Sequence, residues 1–178
     1  SEFFRGECEQ FEDMYKVLTG DDIEPLASRD ELIAWRDREP VFIDLVDRVT
    51  RNLTKFHKVL PTQDEPLEQD TEGLPPKGYR CRYVCLPLGE DKPCFSVGVR
   101  DSFSGRHTPI WMRFHEDTPR FPLIRDRLKA SGLAAQLVES GGRVWIPLKV
   151  PLKAGADEIE KALILQAEAV IKVAYRPL

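Results

Sequence analysis

Cationic and aromatic residues fall on alternate positions of four apolar stretches in the second half of the chain. They are Arg80 and Arg82, then Arg100, then Trp111, Arg113 and His115, then Arg143, Trp145 and Lys149. Alternation places such residues on one face of a sheet. Cations interleaved with rings are what a single-stranded nucleic-acid platform uses. The cations neutralise phosphates while the rings stack on bases, at about 1–3 kcal/mol per base. These nine residues are the candidate nucleic-acid-binding face, and no RNP-type motif accompanies them. A competing reading makes Trp111 and Trp145 a second small core under N-terminal helices, with the arginines paired to acidic residues there.

The charge distribution bears on both readings. Residues 1–75 hold 9 Lys+Arg against 19 Asp+Glu, a net of −10, and residues 76–153 hold 14 against 7, a net of +7. Residues 154–178 hold 3 against 4, which completes the total of −4. An acidic arm beside a basic body implies a polyanion partner, an acidic protein partner, or an internal mask over the basic part.

Other chemistry finds less support. Cys81 and Cys85 are four apart, which in a strand is about 13 Å along one face. That is too far to share a zinc ion at about 2.3 Å from each sulfur. The four cysteines, Cys8, Cys81, Cys85 and Cys94, are read as reduced thiols in a chain long enough to need no staples. Cys94 with His107 or His115 matches no cysteine-enzyme signature. His115-Glu116-Asp117 has the residue types for acid–base work or metal binding, and equally those of a solvated turn before a helix. Asp101 lacks the Glu-x-Lys partner of a metal nuclease, since the later strand reads Ile146-Pro147-Leu148-Lys149. Gly98, Gly105 and Gly141-Gly142 fit no phosphate-loop or dinucleotide pattern. No catalytic residue, metal ligand or cofactor is assigned, and the reading leans away from an enzyme.

The elements that must position the basic face follow from periodicity. Helices are expected near 7–18, ended by Gly20, and from a Ser28–Glu31 capping box to Arg38, ended by Pro40. Phe42, Val46, Val49, Leu53, Phe56 and Leu60, with Leu45, make one apolar stripe and predict a helix over 42–60. Residues 61–78 carry four prolines and no periodicity, and read as a linker or surface loop. From Tyr79 the period becomes two, which predicts strands near 79–85, 95–100 and 110–115. A helix introduced by Pro119 and Pro122 runs to about Lys129, and a hairpin turns at Gly141-Gly142. Ile159, Leu163, Gln166, Val170 and Val173 predict a last helix over 157–175, capped by Asp157 and Glu160.

The expected fold is α+β. An antiparallel sheet of four to five strands packs on one face against helices near 120–131 and 157–175, with an N-terminal helical region. The organisation is 1–60 acidic helical region, 61–78 linker, 79–178 α+β domain. The core face is expected to collect Tyr83, Phe95, Val97, Val99, Ile110, Met112, Phe114, Val144, Ile146 and Leu148. The functional expectation is a non-enzymatic binding module for single-stranded nucleic acid or another polyanion. The alternative is an interaction domain that dimerises through helix 42–60 or 157–175. No apolar run approaches the roughly 20 residues of a membrane span. Ser1-Glu2-Phe3 shows no signal-peptide pattern, and the expected location is cytoplasmic.

Overall fold

The computed structural model describes residues 39–53, 58–59, 63–66, 78–86, 90, 93–100, 108–151 and 154–176. The helices expected near 7–18 and 28–38 lie outside these. The chain is α+β, as its periodicities require. Strands β3 (Gly78–Cys85), β4 (Cys94–Arg100), β5 (Ile110–His115), β6 (Val138–Ser140) and β7 (Arg143–Pro147) form an antiparallel body in the order β3-β4-β5-β7-β6. Two short strands, β1 (Lys58–Val59) and β2 (Gln63–Pro66), both pair with β3. The stretch read as a linker therefore contributes β2 to the sheet edge.

Helices α1 (Glu39–Asn52), α2 (Phe121–Ala130) and α3 (Ala156–Ala174) cover one face. Phe42, Leu45, Val46, Val49 and Leu53 of the α1 segment join Phe121, Ile124 and Leu128 of α2 in a single core. Ile159, Leu163, Ala167, Val170 and Ala174 of α3 complete the helical side of it. They pack on Val84, Phe95, Val97, Val99, Ile110, Met112, Phe114, Val144, Ile146 and Leu148. The apolar stripes of α1 and α3 are thus spent within the chain. Outside them, Leu165 of α3 is a large apolar side chain left 66% exposed.

Three expectations are corrected here. The helix predicted over 42–60 ends at Asn52. Thr50 Oγ1 donates to the carbonyl of Val46, and Asn52 Nδ2 to that of Arg48, so side chains compete for the bonds of the last turn. Phe56 and Leu60 lie outside the described residues. Pro40, expected to close an earlier helix, stands in the first turn of α1, where its missing N–H costs nothing. The N-cap of α3 is Gly155 with no side-chain cap bond, although Asp157 and Glu158 still place acid in the first turn.

The thiol expectation is corrected as well. Cys85 and Cys94 stand directly opposite each other in the β3–β4 register and are joined by a disulfide. Cys81 is buried and lies outside this bridge. The β6–β7 hairpin turns at Gly141 (φ 59°) and Gly142 (φ 69°), the positive dihedrals of a two-residue primed turn.

Gly98 has a different reason to be glycine. A Cβ there would lie 2.7 Å from both Cys81 Cβ and Tyr79 Cε2, and would strike the carbonyl oxygen of Arg80. Gly98→Ala should lower stability by about 1–3 kcal/mol through overpacking of a rigid neighbourhood. A denaturant melt with an unchanged slope and a lower midpoint is the expected result, and an unshifted midpoint would show that β3 and β4 can part at no cost.

Candidate polyanion-binding face

Register decides which residues share the face away from the helices. Tyr79 pairs with Arg100, Cys81 with Gly98, Tyr83 with Ser96 and Cys85 with Cys94. Gly98 pairs in turn with Trp111, and Ser96 with Arg113. Trp111 pairs with Pro147, Arg113 with Trp145 and His115 with Arg143. Directly opposed residues point to the same side. The second face therefore carries Arg100, Trp111, Arg113, His115, Arg143 and Trp145, joined by Tyr79, Cys81 and Tyr83 from β3.

Arg80 and Arg82 belong to the other side. They pair with Val99 and Val97, which are in the helix-covered core. The Arg82 guanidinium reaches Asp47 of α1, with Nε donating to Oδ1 at 2.5 Å and Nη2 to Oδ2 at 3.0 Å. That hydrogen bond raises the Arg82 pKa against the opposing pull of desolvation. Tyr83, expected on the core face, is on the opposite one. Lys149 lies beyond the end of β7, exposed, with its backbone N–H and C=O held by the Gln166 side chain of α3. Of the nine predicted residues the fold brings six together and sets three apart.

The six do not form an open platform. Trp111 is 0% and Trp145 1% exposed, and with Tyr79 and Cys81 they make a second buried cluster. The Trp111 indole N–H donates to the carbonyl of Thr108 at 3.0 Å. Tyr79 meets Trp145 edge to face, with ring centroids 4.9 Å apart. The cations cover the rings. The Arg100 guanidinium carbon is 4.6 Å from the Trp145 centroid. That of Arg113 is 4.7 Å from Tyr79, 5.5 Å from Trp145 and 5.8 Å from Tyr83. Arg113 Nη2 also donates to Tyr83 Oη at 2.8 Å, and the residue is 2% exposed. Contacts of this kind contribute about 0.5–2 kcal/mol each when desolvated.

The expected second core is therefore present, but α1 does not build it, because α1 packs on the other face. The described positions on this face of β4, β5 and β7 carry three arginines and no acidic residue, while Glu65 of β2 stands opposite Tyr79 in the register.

At the end of the face the turn after β5 forms a pocket of about 400 Å³, lined by Tyr83, Cys94, Phe95, Ser96, Arg113, His115, Asp117, Thr118 and Pro119. His115 Nδ1 accepts the Asp117 N–H at 3.2 Å and lies 3.1 Å from Asp117 Oδ2. Thr118 Oγ1 donates to the Cys94 carbonyl at 3.3 Å, tying the turn to β4. The polar turn expected at 115–118 is thus one wall of a cavity. No signal in the sequence joined it to Cys94 and Tyr83, since that proximity comes from register. Among the described residues, no group of three or more His, Cys, Asp or Glu is placed to hold a metal ion. No described helix is long and apolar enough to cross a membrane.

Comparison with protein-family models, with curated proteins and with solved structures finds no match for this chain.

The burial of the tryptophans is directly measurable. In a Trp35→Phe background, Trp111 and Trp145 should emit at short wavelength and resist iodide quenching in the native protein. Trp145→Ala should cost about 3–5 kcal/mol in a denaturant melt. Ready quenching, or a cost below 1 kcal/mol, would show the second cluster to be open.

Proposed function

We propose that the protein is a non-enzymatic binding module whose cationic sheet face takes a polyanion, with single-stranded nucleic acid the leading candidate. One observation carries the reading. Arg100, Arg113 and Arg143 share one face of β4, β5 and β7 with His115 beside them, and the same-face positions of those three strands add no acid, Glu65 of β2 standing farther off opposite Tyr79. Buried tryptophans change how such binding works. Bases do not reach Trp111 or Trp145 while the cluster is packed, so affinity comes from phosphates and the face discriminates weakly between bases. The acidic arm, net −10 over residues 1–75, competes for the same cations as an internal mask. A cytoplasmic location goes with a nucleic-acid partner and forms part of the proposal.

The test uses the full chain, because α1 supplies part of the main core and a chain begun after it would lose those contacts. Single-stranded and duplex oligonucleotides are titrated at about 50 and 200 mM salt. Binding should weaken steeply with salt, with a log–log slope of about −0.7 per phosphate contact on the single strand. Arg143→Glu should weaken it, while Lys149→Glu, outside the cluster, should do so less. Neutralising Glu68, Asp70 and Glu72 to amides should tighten it. Absence of binding to either nucleic acid at the lower salt would end the proposal.

A further inference from the structure

We propose that Cys85–Cys94 is an exchangeable disulfide and that the pocket beside it admits an anionic low-molecular-weight thiol, which attacks the Cys94 sulfur. The inference shares Arg113 and His115 with the polyanion reading but does not rest on it, since its readout is sulfur exchange and not nucleic-acid binding.

Register puts the sulfur on the pocket side. Tyr83, Cys94, Ser96, Arg113 and His115 all belong to the face away from the helices, and all line the same cavity of about 400 Å³. The Cys94 side chain therefore leaves the strand on the side from which the cavity opens. Both bridged cysteines are partly exposed, whereas Cys81 is 0% exposed. Access separates a reactive sulfur from an inert one.

The bridge has little structural work to do. Its half-cystines are nine residues apart, and the hairpin they close is already held by seven registered β3–β4 pairs. A backbone bond from Leu86 N–H to the Pro93 carbonyl closes the same end. A cross-link over so short a span constrains the unfolded chain least. A disulfide that stability hardly requires, opening on a cavity, is of the labile kind. The same property reconciles it with a reducing compartment, where disulfides are mostly transient and reactive.

The cavity walls select the co-reactant. Arg113 brings a cationic group to one side, His115 adds an imidazole, and the Tyr83, Ser96 and Thr118 hydroxyls offer hydrogen bonds. Asp117, 87% exposed, stands at the rim beside His115. Cations favour a thiolate over a thiol, and favour carboxylates on the molecule that carries it. In the first step the thiolate RS⁻ bonds to Cys94 Sγ, the Cys94–Cys85 bond breaks, and Cys85 leaves as a thiolate. In the second step another RS⁻ attacks the bound R sulfur, releasing RSSR and the Cys94 thiolate. Two thiols are oxidised, the protein disulfide is reduced by two electrons, and the two protons of the thiols end on the two cysteines.

The experiment treats the oxidised full chain with reduced glutathione and, separately, with neutral 2-mercaptoethanol. The reaction is quenched in acid, alkylated and mapped by mass spectrometry. The expected result is opening without denaturant, a mixed disulfide found on Cys94, and Cys81 left unmodified. Cys85→Ser, in which nothing can resolve the adduct, should accumulate glutathione on Cys94 when offered glutathione disulfide. His115→Glu, which adds an anion to the cavity wall, should slow glutathione relative to mercaptoethanol by up to about fivefold at neutral pH, the effect of one nearby charge in water. A bridge that opens only in denaturant, or an adduct on Cys85, would overturn the assignment. Equal slowing of both thiols by His115→Glu would overturn the choice of an anionic co-reactant.

Discussion

A guanidinium that is almost wholly buried sits at the centre of the second face, and the arrangement around it follows from the need to accommodate it. Moving a charge out of water is costly unless polar or π partners replace the solvent. Arg113 lies within 6 Å of three aromatic rings and donates to Tyr83 Oη. Those rings come from β3 and β7 while the cation comes from β5, so β3 must be brought close across β4. Gly98 makes this possible, because any side chain there would collide with Cys81 and the Tyr79 ring. One missing Cβ on β4 and one buried cation on β5 thus depend on each other. Together they explain how a cation and three rings pack in one layer on this side of the sheet.

That packing also explains which parts of the molecule were legible in the sequence. Element types were readable because each follows from local period. The 3.6-residue stripes at α1 and α3 and the alternation in β3, β4 and β5 are properties of single segments. The α1 terminus was not readable, because the apolar spacing continues through Phe56 and Leu60 while the side-chain bonds of Thr50 and Asn52 end the helix earlier. Period two sorts a strand into two sets but does not say which set meets the helices. For β4 and β5 the apolar set is obvious. For β3 both sets are covered, so polarity misleads, and Arg80 and Arg82 were assigned to the wrong side. Arg82 remains on the helix side because its long stem crosses apolar surface and its head finds Asp47.

The same limit hid the pocket. His115, Glu116 and Asp117 were visible as a polar cluster at a strand end, and Cys94 as a cysteine weighed against His107 or His115. Only the β3–β4–β5 register brings them together. Likewise Cys85 and Cys94 are unremarkable at a separation of nine until the hairpin places them opposite one another. Long-range pairing is a property of the whole sheet, and a single strand carries almost no information about it.

Both proposed activities use one face, and the fold gives them different mechanical positions. The Arg100–Trp145 and Arg113–Tyr79 contacts lie in the middle of the sheet, where backbone pairing on both sides holds them. A polyanion meeting that region competes with contacts the fold itself uses, so strong binding there would have to offset lost cation–π packing. Arg143 and His115, opposed at the β5–β7 end, bear less of this burden, since Arg143 is half-buried and the His115 side chain is 31% exposed. The Cys85–Cys94 bridge lies at the β3–β4 end, where, among the described residues, β1 pairs with β3 at Lys58–Val59 on its outer side. Opening it releases one strand end without touching the Arg113 cluster. Charge recognition and sulfur chemistry nevertheless meet at Arg113 and His115, which line the pocket beside Cys94 and also belong to the cationic face.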